Sequence, residues 1–142
     1  MKLTIELVPT SCWNSNVRSI VTASQWNVIR KKCYTLANNK CEICGGVGKL
    51  HPVECHEIWE YNDETHTQTL KGLIALCPTC HMVKHAGLAE MQGKINVVIR
   101  QLMKVNGTDM DNTVLYINKS FAKWHERSKF SWSLNINFLN NY

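Results

Sequence analysis

Between Cys41 and His85 the chain concentrates side chains that can ligate a metal: Cys41-Glu42-Ile43-Cys44, Cys55-His56, and Cys77-Pro78-Thr79-Cys80-His81 followed by His85. A divalent cation needs several lone pairs converging on one point. Two Cys-x-x-Cys pairs each supply half of a tetrahedral thiolate cage, so Cys41, Cys44, Cys77 and Cys80 are read as a structural zinc site. Cys80 and His81 are consecutive and must point in different directions. That suits a cysteine serving one metal and His81 and His85, which share a helix face, serving another.

These ligands have to be positioned by the elements around them. Gly45, after the second cysteine of the first pair, permits a left-handed turn that aims backbone N–H groups at the sulfurs. Gly46-Val47-Gly48-Lys49 lacks the spacing and the trailing Ser or Thr of a phosphate-binding loop. Leu50 to Trp59 reads as extended, Tyr61 to Gln68 as a polar tip, and Leu70 to Leu76 as a second strand leading into Cys77. A helix is expected from His81 to about Glu90. Before this core, Leu3 to Val8 alternates like a strand ended by Pro9. Thr22 and Gln25 form a capping box ahead of an apolar stripe of Trp26, Ile29, Cys33 and Leu36. After the core, Ile95, Val98, Ile99 and Leu102 define a helix ended by Asn106-Gly107. Another, capped by Thr108 or Asp109, carries Val114, Ile117, Phe121 and Trp124. Ser131 to Phe138 alternates again, and the two terminal strands are expected to pair.

The chain of 142 residues reads as one α+β domain: an N-terminal strand and helix (1–40), a metal-binding core (41–88), and C-terminal helices with a strand (89–142). A hydrophobic share of 44% with 19% charged residues is globular, and the formal charge of +5 permits a polyanionic partner without requiring one. Seven cysteines, four of them in metal-type pairs, argue for a reducing, cytoplasmic setting over a disulfide scaffold. Glu6 and Pro9 interrupt any signal-peptide core, and no run approaches the ~18 apolar residues of a membrane span, so no membrane partner is expected.

Knuckle, hairpin, second knuckle and helix is the order of a treble-clef zinc finger. With His56 in the hairpin and Cys77-x-x-Cys80-His81-x-x-x-His85 after it, residues 41–88 resemble the ββα-metal core of the HNH endonuclease superfamily. The wording HPVECHEIW extends that likeness to a bacterial HNH endonuclease family. The resemblance implies a metal-dependent hydrolase of phosphodiester bonds in double-stranded DNA. In the family pattern the base directly follows a metal ligand at the end of the first strand. That maps onto Cys55 as ligand and His56 as base, with His81 and His85 as the other ligands of a second divalent metal. A Cys/His/His set suits Zn²⁺, Mn²⁺ or Ni²⁺ better than Mg²⁺. Glu54, on the face of His56, is a candidate orienter. Lys49, Lys71, Lys84 and Arg30 are expected to hold phosphates. The family's middle asparagine falls on Gly72, with Asn62 or His66 as possible substitutes. This departure and Cys55 keep open an alternative: a degenerate HNH-fold module that binds DNA or a protein partner, such as a phage or mobile-element inhibitor.

Overall fold

Helix starts follow local side-chain chemistry closely. The computed structural model describes residues 1–142. Asn16 and Ser19 form a capping box that begins α1 (Val17–Ile20). In a second box the Gln25 N–H donates to Thr22 Oγ1 at 3.1 Å and the Thr22 N–H to Gln25 Oε1 at 2.9 Å, starting α2 (Ala23–Leu36). Cys33 is buried as its stripe requires, whereas Leu36 is 67% exposed.

Two long strands follow, β1 (Glu54–Asn62) and β2 (Thr67–Leu76), antiparallel with Glu54 opposite Leu76 and with one bulge between Ile58 and Trp59. Then come α3 (Pro78–Lys84), α4 (Ala86–Met91), α5 (Ile95–Asn106) and α6 (Met110–Arg127). Six α-helices and a three-stranded sheet of order β1-β2-β3 make the fold α+β. The third strand, β3 (Ser133–Asn135), runs parallel to Thr67–Thr69 of β2. Gly107 ends α5 at φ +64°, and Asp109 caps α6 by accepting the Asn112 N–H at 2.8 Å.

Three expectations need correction. Leu3 to Val8 forms no strand: the Leu3 N–H donates to Asn106 Oδ1 and the Ile5 N–H to Tyr116 Oη, each at 2.8 Å. Its alternation encodes which residues enter the core, while side chains of α5 and α6 satisfy the backbone. The tail therefore pairs with β2 instead of the N-terminal segment. The histidine helix begins earlier, at Pro78, because Cys77 caps it and proline is preformed for the first helical position. It breaks at His85 (φ −103°, ψ 45°), and α4 resumes from there.

The main core joins Leu3, Ile5, Leu76, Val83, Val98, Leu102 and Ile117 with Cys41, Cys77 and Cys80. A smaller one, Val17, Trp59 and Leu70, lies on the sheet under the C-terminal tail residues Leu134, Ile136 and Phe138. No helix is long and apolar enough to cross a membrane.

Candidate metal centres

The four paired cysteines come together. Their sulfurs lie within 4.8 Å of one another, all seven cysteines are free thiols, and Cys44 Sγ is 3.6 Å from Cys77 Sγ. A disulfide would need ~2.05 Å. A Zn–S bond of ~2.3 Å gives a tetrahedron with edges of ~3.8 Å, close to what is seen. Backbone donors already face the sulfurs: Cys44 N to Cys41 Sγ at 3.5 Å, Gly46 N to Cys44 Sγ at 3.4 Å, and Cys80 N to Cys77 Sγ at 3.4 Å. Gly45 makes the first turn at φ +75°. Gly48 permits a close approach of another kind, since a Cβ there would sit 2.3 Å from His51 O and 2.8 Å from Pro78 Cδ. Burial opposes ionisation of Cys41, but the N–H groups of Cys44, Cys77 and Ile43 outweigh it and bring the thiol down to about 7. Burial raises Cys80, and the charges of Cys41, Cys77 and Cys44 raise it further. Thiolates this close together repel one another, so the cluster fits a divalent cation such as zinc, which would offset that repulsion.

A second cluster is made of imidazoles. Ligand nitrogens of His56 on β1 and of His81 and His85 on α3 and its end lie within 4.8 Å of one another, and His81 Nε2 is 3.0 Å from His85 Nε2. Carboxylates fix the outer nitrogens of two of them. Glu54 accepts from His81 Nδ1 and, at 2.8 Å, from His51 Nε2, while Glu6 Oε2 accepts from His56 Nε2 at 3.1 Å. A carboxylate on one ring nitrogen sets the tautomer and leaves the other with its lone pair. Burial lowers His81, and burial with the neighbouring imidazoles lowers His85 to about 4. His81 and His85 are thus neutral at physiological pH. Three imidazoles, two of them with carboxylate-fixed tautomers, can hold a divalent ion and leave a coordination position open.

This geometry rearranges the expected roles. Cys55 is not among the imidazoles: strand alternation turns it to the opposite face, where its thiol meets Cys33 and is pushed far up by that contact and by burial. His56 takes the place in the cluster expected of Cys55. Glu54 orients His81 rather than His56. Burial alone would raise Glu6, but its hydrogen bond to His56 and the charge of Lys84 hold its carboxyl below the ordinary range. Lys84 is 4% exposed and donates to Glu6 Oε1 at 2.9 Å and Thr4 Oγ1 at 2.8 Å, so it cannot reach a phosphate. Lys49 and Lys71 are exposed, and half-exposed Arg30 donates to Asn27. Arg30 lies on α2, Lys71 on β2 and Lys49 in the loop between α2 and β1.

No protein-family model, curated protein or solved structure matches the chain. The centres stand on their own geometry. Gly72 lies opposite Ile58 in the sheet, and neither proposed substitute for its asparagine reaches the imidazoles. Asn62 Oδ1 caps the hairpin tip by accepting from Glu64 and Thr65 N–H, and His66 stacks on Phe130 with centroids 4.2 Å apart. Sequence reasoning missed Glu6 and gave Glu57 no role. Glu57 accepts the Val17 N–H at 2.6 Å and lines a cavity together with Glu6 and His85. Glu6 carries no local signal, since only tertiary folding brings it to His56. Glu57 had one, its place directly after His56.

Proposed function

We propose that the chain is a metal-dependent endonuclease of HNH type, built on a treble-clef core and hydrolysing phosphodiester bonds in DNA. The observation that carries this is the convergence of His56, His81 and His85 beside a four-cysteine cluster, on the strand and helix that the resemblance requires. His56, His81 and His85 would hold a divalent cation such as Zn²⁺, Mn²⁺ or Ni²⁺, with Glu6 and Glu54 fixing the tautomers of His56 and His81. When bound, that ion supplies positive charge for the scissile phosphate and the leaving oxygen.

With His56 as a ligand, the proton acceptor has to be another group. In the family pattern the base follows the strand ligand, and here that residue is Glu57. By alternation Glu57 leaves β1 on the side of Cys55, but its carboxylate, one oxygen of which accepts the Val17 N–H, lines the cavity that His85 also lines. Glu57 would take a proton from the attacking water there. Lys49, Lys71 and Arg30 remain available for phosphates of a DNA duplex, whereas Lys84 serves Glu6.

The test is relaxation of supercoiled plasmid by purified protein with each of Zn²⁺, Mn²⁺, Ni²⁺ and Mg²⁺. Glu57→Gln should retain the bound metals and lose roughly 10²–10⁴-fold in rate, the usual share of a general base. Unchanged cleavage by that variant removes Glu57 from the role. An intact plasmid under every metal, with only one ion per chain, leaves a DNA- or protein-binding module.

A further inference from the structure

A cavity of about 590 Å³ opens between the N-terminal segment, the sheet and α6, and the site chemistry does not account for most of it. His85, Glu6 and Glu57 line it together with Trp13 and Trp124, whose ring planes are 9° apart and centroids 6.3 Å apart. Both indole N–H groups donate to Val8 O, at 2.8 and 2.9 Å, so the rings are fixed although Trp13 is 56% exposed. Gln68 lines the cavity from β2. It is 1% exposed, yet its Oε1 has no hydrogen-bond partner. A buried amide oxygen without a partner costs free energy that an incoming donor would recover.

From these features we infer that the cavity binds a single unstacked nucleobase bearing an exocyclic amine, held by Gln68 and stacked against the tryptophan wall. The acceptors decide the class. Gln68 Oε1 and the carboxylates of Glu57, Glu6 and Glu90 offer lone pairs and negative charge, so a phosphate is excluded from the interior. Amino groups of adenine, cytosine or guanine supply N–H donors, whereas thymine offers one N–H between two carbonyls that would face those acceptors. Aromatic planes with a hydrogen bond to a base edge are the usual means of holding an extruded or single-stranded base. The inference rests on the nuclease reading for the choice of a nucleic-acid base and for placing that base's phosphate near the imidazoles, of which His85 lines the cavity.

The test uses ¹⁵N-labelled, zinc-loaded protein and neutral deoxynucleosides, so it needs neither cleavage nor a metal at the imidazoles. Deoxyadenosine and deoxycytidine should shift the indole N–H signals of Trp13 and Trp124 and the Gln68 amide, binding at least ~10-fold more tightly than thymidine. Gln68→Met removes the acceptor at similar volume and should bring the three within about threefold. Trp13→Ala, at an exposed position, should weaken all of them by roughly 5-fold or more. Equal binding of all three nucleosides, no shift at these residues, or unchanged discrimination in Gln68→Met overturns the base pocket. A separate arm compares the 5′-monophosphates. Tighter binding only when His85 is intact supports the metal reading, and its absence defeats that reading while leaving the nucleoside result to stand or fall alone.

Discussion

Lys84→Met separates a structural lysine from a phosphate-binding one. The ammonium is 4% exposed and its two acceptors, Glu6 Oε1 and Thr4 Oγ1, lie at 2.9 and 2.8 Å. Removing one partner of a buried pair costs about 3–5 kcal/mol, because the remaining charge stays desolvated. Glu6 retains His56 and its side chain is 19% exposed, so some water can reach it and the expected loss is smaller, about 2–3 kcal/mol. Urea unfolding of the zinc-loaded protein at pH 7 reads this directly, as a lower midpoint at unchanged slope. Pairing the change with Glu6→Gln removes the stranded charge and should restore at least about 1 kcal/mol. Lys71→Ala, at a 53% exposed side chain, should move stability by less than about 0.5 kcal/mol. In DNA binding it should lower the dependence of log K on log salt by about 0.9, the release of one counterion, whereas Lys84→Met leaves that slope alone. A Lys84→Met protein as stable as the parent, with a shallower salt slope, would refute the assignment of Lys84 to Glu6.

Other consequences can be checked independently. Cys41→Ser should abolish zinc binding at the four sulfurs and unfold much of the domain, since structural zinc contributes on the order of 10 kcal/mol; native mass spectrometry and circular dichroism would show both. His85→Ala should leave that zinc in place and abolish binding of a second ion, read by metal analysis after dialysis. Gly48→Ala forces its Cβ against His51 O at 2.3 Å and should destabilise by more than about 2 kcal/mol in thermal unfolding. Asp63 is gripped by Arg127 through Nε at 2.8 Å and Nη2 at 3.0 Å, which holds its carboxyl below the usual range. A lowered folded value means that the pair's stabilisation is complete above the unfolded carboxyl range and disappears as pH falls through the folded one. Asp63→Asn should therefore cost under about 1 kcal/mol at pH 7 and almost nothing near pH 2.

What the sequence discloses is mostly local. Capping at Thr22 and Asp109, the stop at Gly107, the two cysteine pairs and the shared face of His81 and His85 depend on neighbours within four residues, and the structure agrees with each. What it hides depends on which surface a side chain meets. Strand alternation alone allowed either Glu54 with His56 or Cys55 with Glu57 to face the helix. Only the placement of α2, whose Cys33 receives Cys55, settles that His56 is the inward residue. The alternation of Leu3 to Val8 marked burial correctly and pairing wrongly, because Asn106 and Tyr116 take the hydrogen bonds a neighbouring strand would have taken. Lys84 looked like a surface cation because its partner, Glu6, lies 78 residues away.

The two clusters are unequal members of one device. Cys77 caps α3 with its sulfur and so sets where the helix begins; that start fixes the phase at which His81 and His85 emerge, about 100° round the helix from Cys80 for the first of them. The register of β1 against β2 puts Glu54 opposite Leu76, next to Cys77, so the same cysteine ties the end of the hairpin to the helix on which Glu54 finds His81. Cys41, Cys77 and Cys80 belong to the main core, to which none of the three imidazoles belongs. Loss of the sulfurs must therefore disturb both packing and imidazole geometry, whereas loss of His85 leaves the packing whole. A divalent ion at the histidines would gain affinity from the order that the thiolates impose and return little of it to the fold, which is the division expected between a scaffold metal and a working one.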